Sequence, residues 1–130
     1  MTKMMHPAHV LLPEAGADAY LHLDIEAWEI LEQDYGDAFL SIVAAGLRYP
    51  APAIVARCLA LSIKNVPDEA MADAPWGLTL DELARRLNDA LHLMWRGKTV
   101  AEIEEEHARE VRIGARKAAA EMVTETEVPA

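Results

Sequence analysis

The residues of this 130-residue chain best suited to chemistry are five histidines and one cysteine, and their spacing assembles neither a metal site nor a catalytic centre. His6 and His9, in HPAH, offer two imidazoles, but structural zinc normally takes four ligands and no thiol or carboxylate stands beside them at ligand spacing. His107 closes EEEH, and a helical Glu and His pair can be half of a metal site in a bundle; the facing half is missing. Cys58 lies in the apolar run ARCLALSI, which predicts a small buried thiol, and as the only cysteine it has no partner for an intrachain disulfide. His22 and His92 read as core-edge side chains satisfied locally, because an acid or base histidine usually comes with an evident partner. No glycine-rich phosphate loop and no GxSxG turn is present. The expectation is a protein without catalytic residues, cofactor or metal.

Composition narrows the class. Apolar residues make up 52% of the chain and aromatics 5%, so the core should be aliphatic, with Trp28, Trp76 and Trp95 as large fillers. Alanine and leucine favour helix, and the length suits one domain with a real core. A net charge of −10 argues against a protein that grips phosphate backbones, since nucleic-acid affinity rests on clustered Lys and Arg. The acidity suits solubility or a basic protein partner. No segment reaches the ~20 apolar residues of a membrane span. The start, MTKMMHPAHVLLPEAG, is broken by Pro13 and lacks the apolar run of a signal peptide, so a cytoplasmic location in a bacterial host is expected.

The elements follow from period and punctuation. Residues 9–12 and 18–23 form a hairpin across the turn-rich PEAGA, with Tyr20, His22 and Asp24 on one face and Leu21, Leu23 and Ile25 on the other. Asp24 caps a first helix carrying Trp28, Leu31 and Tyr35, which Gly36 ends; Asp37 caps a second carrying Leu40, Val43, Ala44 and Leu47. Pro50 and Pro52 suit the start of a third helix, apolar nearly all round through Ile63 and hence the most buried. A surface loop from Lys64 to Gly77 follows, with a turn of helix near Glu69 and Trp76 pinning its end. Thr79 and Glu82 form a capping box for a helix striped by Leu80, Leu83, Leu87, Leu91 and Met94 and stopped by Gly97. Thr99 and Glu102 repeat the device.

That last segment, VAEIEEEHAREVRIGARKAAAEMV, has a narrow stripe of Val100, Ile103, His107 and Val111, with Glu102 and Glu106 or Glu105 and Arg109 placed as helical neighbours. It reads either as a solvated cover of the domain or as a projecting contact arm interrupted at Gly114. The fold class is therefore α+β and predominantly helical: a small N-terminal β-hairpin packed on four to five helices. Within one domain of residues 1–130 the divisions are a flexible arm at 1–8, the hairpin at 9–23, a helical core at 24–113 with the loop 64–77, and a weakly packed tail at 114–130. Candidate partner-binding residues are Val100, Ile103, Val111, Arg112, Arg116 and Met122.

The stretch DIEAWEILEQDYGDAFLSIVAAGL after a strand, with an acidic "LE" before a Tyr-Gly helix break and a second helix rich in small residues, resembles the small tail assembly chaperones of long-tailed phages and phage-derived gene transfer agents. The resemblance covers about a quarter of the chain; the linker KNVPDEAMADAPWG and the charged C-terminal segment depart from it. It implies a stoichiometric, non-enzymatic protein that binds tape measure and tail tube proteins during assembly, with no individual functional residue to transfer. An acidic helical regulator, an antitoxin or an inhibitor of a basic protein, accounts for the charge as well. Protein partners and a possible homo-oligomer are expected, and neither nucleic acid nor membrane.

Overall fold

A computed structural model describes residues 9–126, with side chains as far as Glu121. The elements run β1 (Val10–Leu11), β2 (Tyr20–Leu21), α1 (Ile25–Tyr35), α2 (Phe39–Arg48), α3 (Pro52–Ser62), β3 (Ile63–Lys64), α4 (Asp68–Met71), α5 (Leu80–Arg96) and α6 (Val100–Thr126). The class is the expected one, predominantly helical α+β, with six helices and three strands among the described residues. The chain divides into a compact unit ending at Thr99 and a second unit from Val100 onward. The expected arm at 1–8 lies outside the described residues.

The hairpin forms with Val10 opposite Leu21 and Leu11 opposite Tyr20. Its turn is closed by the Leu12 amide donating to the Ala19 carbonyl at 2.9 Å. Leu12, Leu21 and Leu23 are fully buried, as the period-two pattern requires, but Ile25 is 66% exposed because the chain has already turned into α1 there. A third strand joins on the other side of β2, with Leu21 opposite Ile63 and Tyr20 opposite Lys64. Ile63 therefore belongs to a strand and not to the third helix. The edge of β2 carries backbone groups that must find partners, and the end of α3 delivers them: the His22 amide donates to the Ser62 carbonyl at 2.9 Å. Lys64 Nζ then reaches Asp24 Oδ2 at 3.4 Å.

Asp24 is the cap expected of it, its Oδ1 accepting from the Ala27 amide at 2.9 Å. That bond is the main reason its carboxyl titrates below the usual range. Leu31 is buried on the inner face of α1 with Trp28 and Tyr35 packed against the core, and the Trp28 ring meets Phe39 edge-on at 5.8 Å, joining α1 to α2. Gly36, at φ +81°, ends the helix. Asp37 does not cap α2; Ala38 holds that position without a side-chain bond, and a backbone turn from the Phe39 amide to the Gly36 carbonyl at 3.0 Å serves instead.

Pro52 opens α3, as its missing amide proton allows. The helix is not buried all round: Val55, Cys58 and Ser62 face inward, while Ala53, Ala56, Arg57 and Ala60 are exposed, and Arg57 Nε donates to Asp34 Oδ2 at 2.7 Å. The loop after β3 contains the short α4, and Trp76 pins it by donating from Nε1 to the Ala70 carbonyl at 2.7 Å while its ring packs on the core. α5 is the central helix. Thr79 Oγ1 accepts from the Glu82 amide at 3.1 Å, Gly97 caps the other end in the left-handed region, and Leu83, Ala84, Leu87, Ala90 and Leu91 are buried. The helix packs on α2, α3, β1 and β2. Leu80, at 40% exposed, falls off the stripe. Among the described residues no single helix is long and apolar enough to cross a membrane.

One ion pair fastens the hairpin turn to α5. Arg86 donates through both terminal nitrogens to the two oxygens of Glu14, at 2.6 Å each, across 72 residues of sequence. The arginine hydrogen bond lowers the Glu14 carboxyl from its ordinary 4.5 to about 2. A depressed carboxylate stabilises the fold above its unfolded value and loses that contribution as pH falls toward the folded one. Glu14→Gln should therefore lower stability at pH 7 by about 1 kcal/mol, a modest value for a solvent-screened pair of bidentate geometry. Thermal melts of both proteins in steps from pH 5 to pH 2 should show that difference shrinking toward zero; a difference constant with pH would remove the ionic explanation.

Candidate partner-binding helix

α6 is 27 residues long. Val100 and Ile103 are half-buried, and every residue from Glu104 to Glu121 is exposed. The helix runs unbroken through Gly114, contrary to the expected interruption. A Cβ at that position would meet nothing within 4 Å, so no close packing demands glycine. A lone glycine costs a helix only about 1 kcal/mol relative to alanine, which the surrounding Ala, Arg and Lys can offset. Glu105 and Arg109 form the expected pair at 3.7 Å, with both side chains more than 60% exposed, a contact good for a few tenths of a kcal/mol.

The helical period places Val100, Ile103 and Val111 on one stripe, with Arg112 about 100° and Arg116 about 140° round the helix from Val111, off that stripe. Val111 is 56% exposed, and Met122 lies in the helix beyond the described side chains. Ile113, 59% exposed, was not among the expected residues. It lies about 200° round the helix from Val111; an isolated apolar residue between Arg112 and Gly114 was the available signal. Trp95 is another difference: it is 43% exposed, with the Arg96 guanidinium 4.4 Å from its ring, and so does not fill the core as Trp28 and Trp76 do.

The chemically capable residues take structural places. His9 stacks on Tyr20 at 4.0 Å and meets His22 edge-on at 4.8 Å, which fixes it in the hairpin; His6 lies outside the described residues. His92 Nδ1 is 2.8 Å from the Asn88 carbonyl oxygen, a local satisfaction within α5. His107 is exposed. Cys58 is fully buried, and burial pushes its thiol up to about 12, so it holds its proton at neutral pH. Among the described residues no three His, Cys, Asp or Glu side chains are grouped to hold a metal ion. Comparison with protein-family models, with curated proteins and with solved structures finds no match for this chain.

Proposed function

We propose that this chain is a tail assembly chaperone of a long-tailed phage, prophage or gene transfer agent, which acts without catalysis by binding tape measure and tail tube proteins in the bacterial cytoplasm. The resemblance over residues 20–47 supports the reading, and one structural observation carries it. All the buried apolar residues among those described lie between Leu12 and Leu91, yet the chain goes on to build a long helix whose residues 104–121 are uniformly exposed. Helices in proteins owe most of their stability to packing an apolar face, so a helix with exposed Val111 and Ile113 is suited to meeting another chain. The charge of −10 equally suits a second reading, an acidic regulator of a basic protein.

Co-expression with candidate tail tube and tape measure proteins, followed by affinity capture, tests the proposal. The full chain should retain one or both, Val111→Asp with Ile113→Asp should lose them, and a chain ending at Ile113 should hold them more weakly while its melting temperature moves by less than about 2 °C. A fall of ten degrees or more, roughly 2 kcal/mol for a domain of this size, would mean that the segment after Ile113 is packed and not a contact arm. Absence of both tail proteins, with a nuclease or toxin captured instead, would replace the chaperone reading by the second one.

A further inference from the structure

The basic residues of α6 gather on one side of it. At about 100° per residue, Arg109, Arg112, Ile113, Arg116 and Lys117 fall within an arc of about 140°. That arc is turned away from Val111, which lies about 160° round the helix from Arg109. No acid occurs from Val111 to Ala120, and all of these side chains are exposed. Ile113 stands inside the arc, and Arg109, Arg116 and Lys117 are three or four residues from it, the spacing of helical neighbours.

Elsewhere the lysines and arginines of this acidic chain are matched from within. Arg57 meets Asp34, Lys64 meets Asp24, Arg85 meets Asp81, Arg86 meets Glu14 and Arg109 meets Glu105. Arg48 and Arg96 rest against the rings of Tyr49 and Trp95. With 22 acids to 12 bases, such matching is easily satisfied. Arg112, Arg116 and Lys117 have no such match among the described residues, and they stand together around an exposed apolar side chain. An apolar centre with a charged rim is the pattern of a protein contact.

We propose that this face of α6 binds an acidic protein segment that carries an apolar side chain: its carboxylates engage Arg112, Arg116 and Lys117, and its apolar group covers Ile113. Charge complementarity selects the class of partner. A nucleic-acid strand bears a phosphate about every 3.4 Å. Laid along this arc, it would run off the arginines onto Glu102, Glu105 and Glu106, which face the same way. A protein segment changes its side chains at that point, and a phosphate backbone does not. A membrane-surface helix needs a continuous apolar face, whereas Ile113 is the single large apolar residue of this arc from Arg109 to Lys117. Exposed ion pairs are weak and screened by salt, so the binding is salt-sensitive. The inference rests on the reading above that α6 meets another chain, and it names the chemistry of what is met.

Fluorescence anisotropy of the full chain with a labelled peptide tests this. The probe is a helical peptide of interspersed leucines and glutamates, and its two controls replace every glutamate by glutamine or by lysine. Wild type should bind the glutamate peptide at least about ten-fold more tightly than the glutamine one, and at least about five-fold more weakly when salt is raised to about 0.5 M. Arg112→Glu with Arg116→Glu should weaken the glutamate peptide at least about ten-fold and bind the lysine peptide more tightly than wild type does. Ile113→Ser should weaken the glutamate peptide by about three-fold or more, through lost apolar contact. Ala118→Glu, on the opposite side of the helix, should change it by less than about two-fold. All these positions are exposed, so the fold survives the changes, which circular dichroism checks. Equal binding of the glutamate and glutamine peptides, a double variant that binds the glutamate peptide as wild type does, or tighter binding of a single-stranded oligonucleotide or of phosphatidylserine vesicles would overturn the proposal. So would a dimer in sedimentation that the peptide does not dissociate. Undiminished capture of the tail proteins by the double variant would overturn it too, while leaving the tail-assembly reading in place.

Discussion

Leu87→Asp should leave the chain without a cooperative folding transition. Leu87 is fully buried on α5, the helix that packs on α2, α3 and the first two strands, and it belongs to the same cluster as Leu31, Val43, Leu47, Val55 and Cys58. The substitution removes about 2 kcal/mol of leucine burial. It also places a carboxylate where the neighbouring side chains are apolar, at a further cost of several kcal/mol. Together these approach the whole stability of a small domain, about 5–15 kcal/mol. The measurement is a thermal melt followed by circular dichroism, with Leu80→Asp as the internal reference. Leu80 lies two turns earlier on the same helix but is 40% exposed, and its replacement should change stability by no more than about 1 kcal/mol. If both variants melt like the wild type, the inner face of α5 has been misplaced. If both unfold, the distinction between Leu80 and Leu87 has no energetic content.

The parts of this fold that could be read from the chain are those whose causes are local. Asp24 and Thr79 each cap a helix three residues ahead of the amide they accept from, Gly36 and Gly97 sit where a positive φ is needed, and Leu83, Leu87 and Leu91 recur at the helical period. The misreadings have distant or additive causes. β3 is two residues long, too short for alternation to show, and exists because β2 offers it an edge. α3 looked buried on every side because alanine counts as apolar, yet Ala53, Ala56 and Ala60 are small enough to face solvent at little loss. Gly114 taken alone reads as a break, but the helix formers on both sides of it carry α6 through. In the candidate site the stripe through Ile103 and Val111 was visible; Ile113 and Trp95 were not, since exposure is decided by where other elements do not reach.

Gly46→Val should cost about 3 kcal/mol, at the upper end of what overpacking a core commonly does. α2 and α3 turn through 107° between them, and the turn is drawn tight by the Ala51 amide donating to the Gly46 carbonyl at 2.8 Å. Gly46 is buried, and a Cβ built on it would overlap Ile54 Cδ1 and stand 2.9 Å from Cγ2 and 3.0 Å from Cβ of the same residue. The terminal methyl can swing aside. Cβ cannot move without the backbone, and Cγ2 is held by the single χ1 rotamer that a β-branched residue prefers in a helix, so α3 must retreat from α2. Replacing glycine by alanine within a helix ordinarily gains about 1 kcal/mol. Here that gain opposes the steric term, and Gly46→Ala should be slightly destabilising where an unobstructed helical glycine would give the opposite sign. The valine variant adds two methyl groups and loses part of the propensity gain, so the steric term wins clearly. Calorimetry of Gly46→Ala, Ile54→Ala and the double variant separates the two contributions. The double variant should be more stable than the sum of the single losses by about 1 kcal/mol or more, the range expected of directly touching residues. Strict additivity would show that Ile54 does not limit the approach of the two helices, and the expected penalty for valine would fall with it.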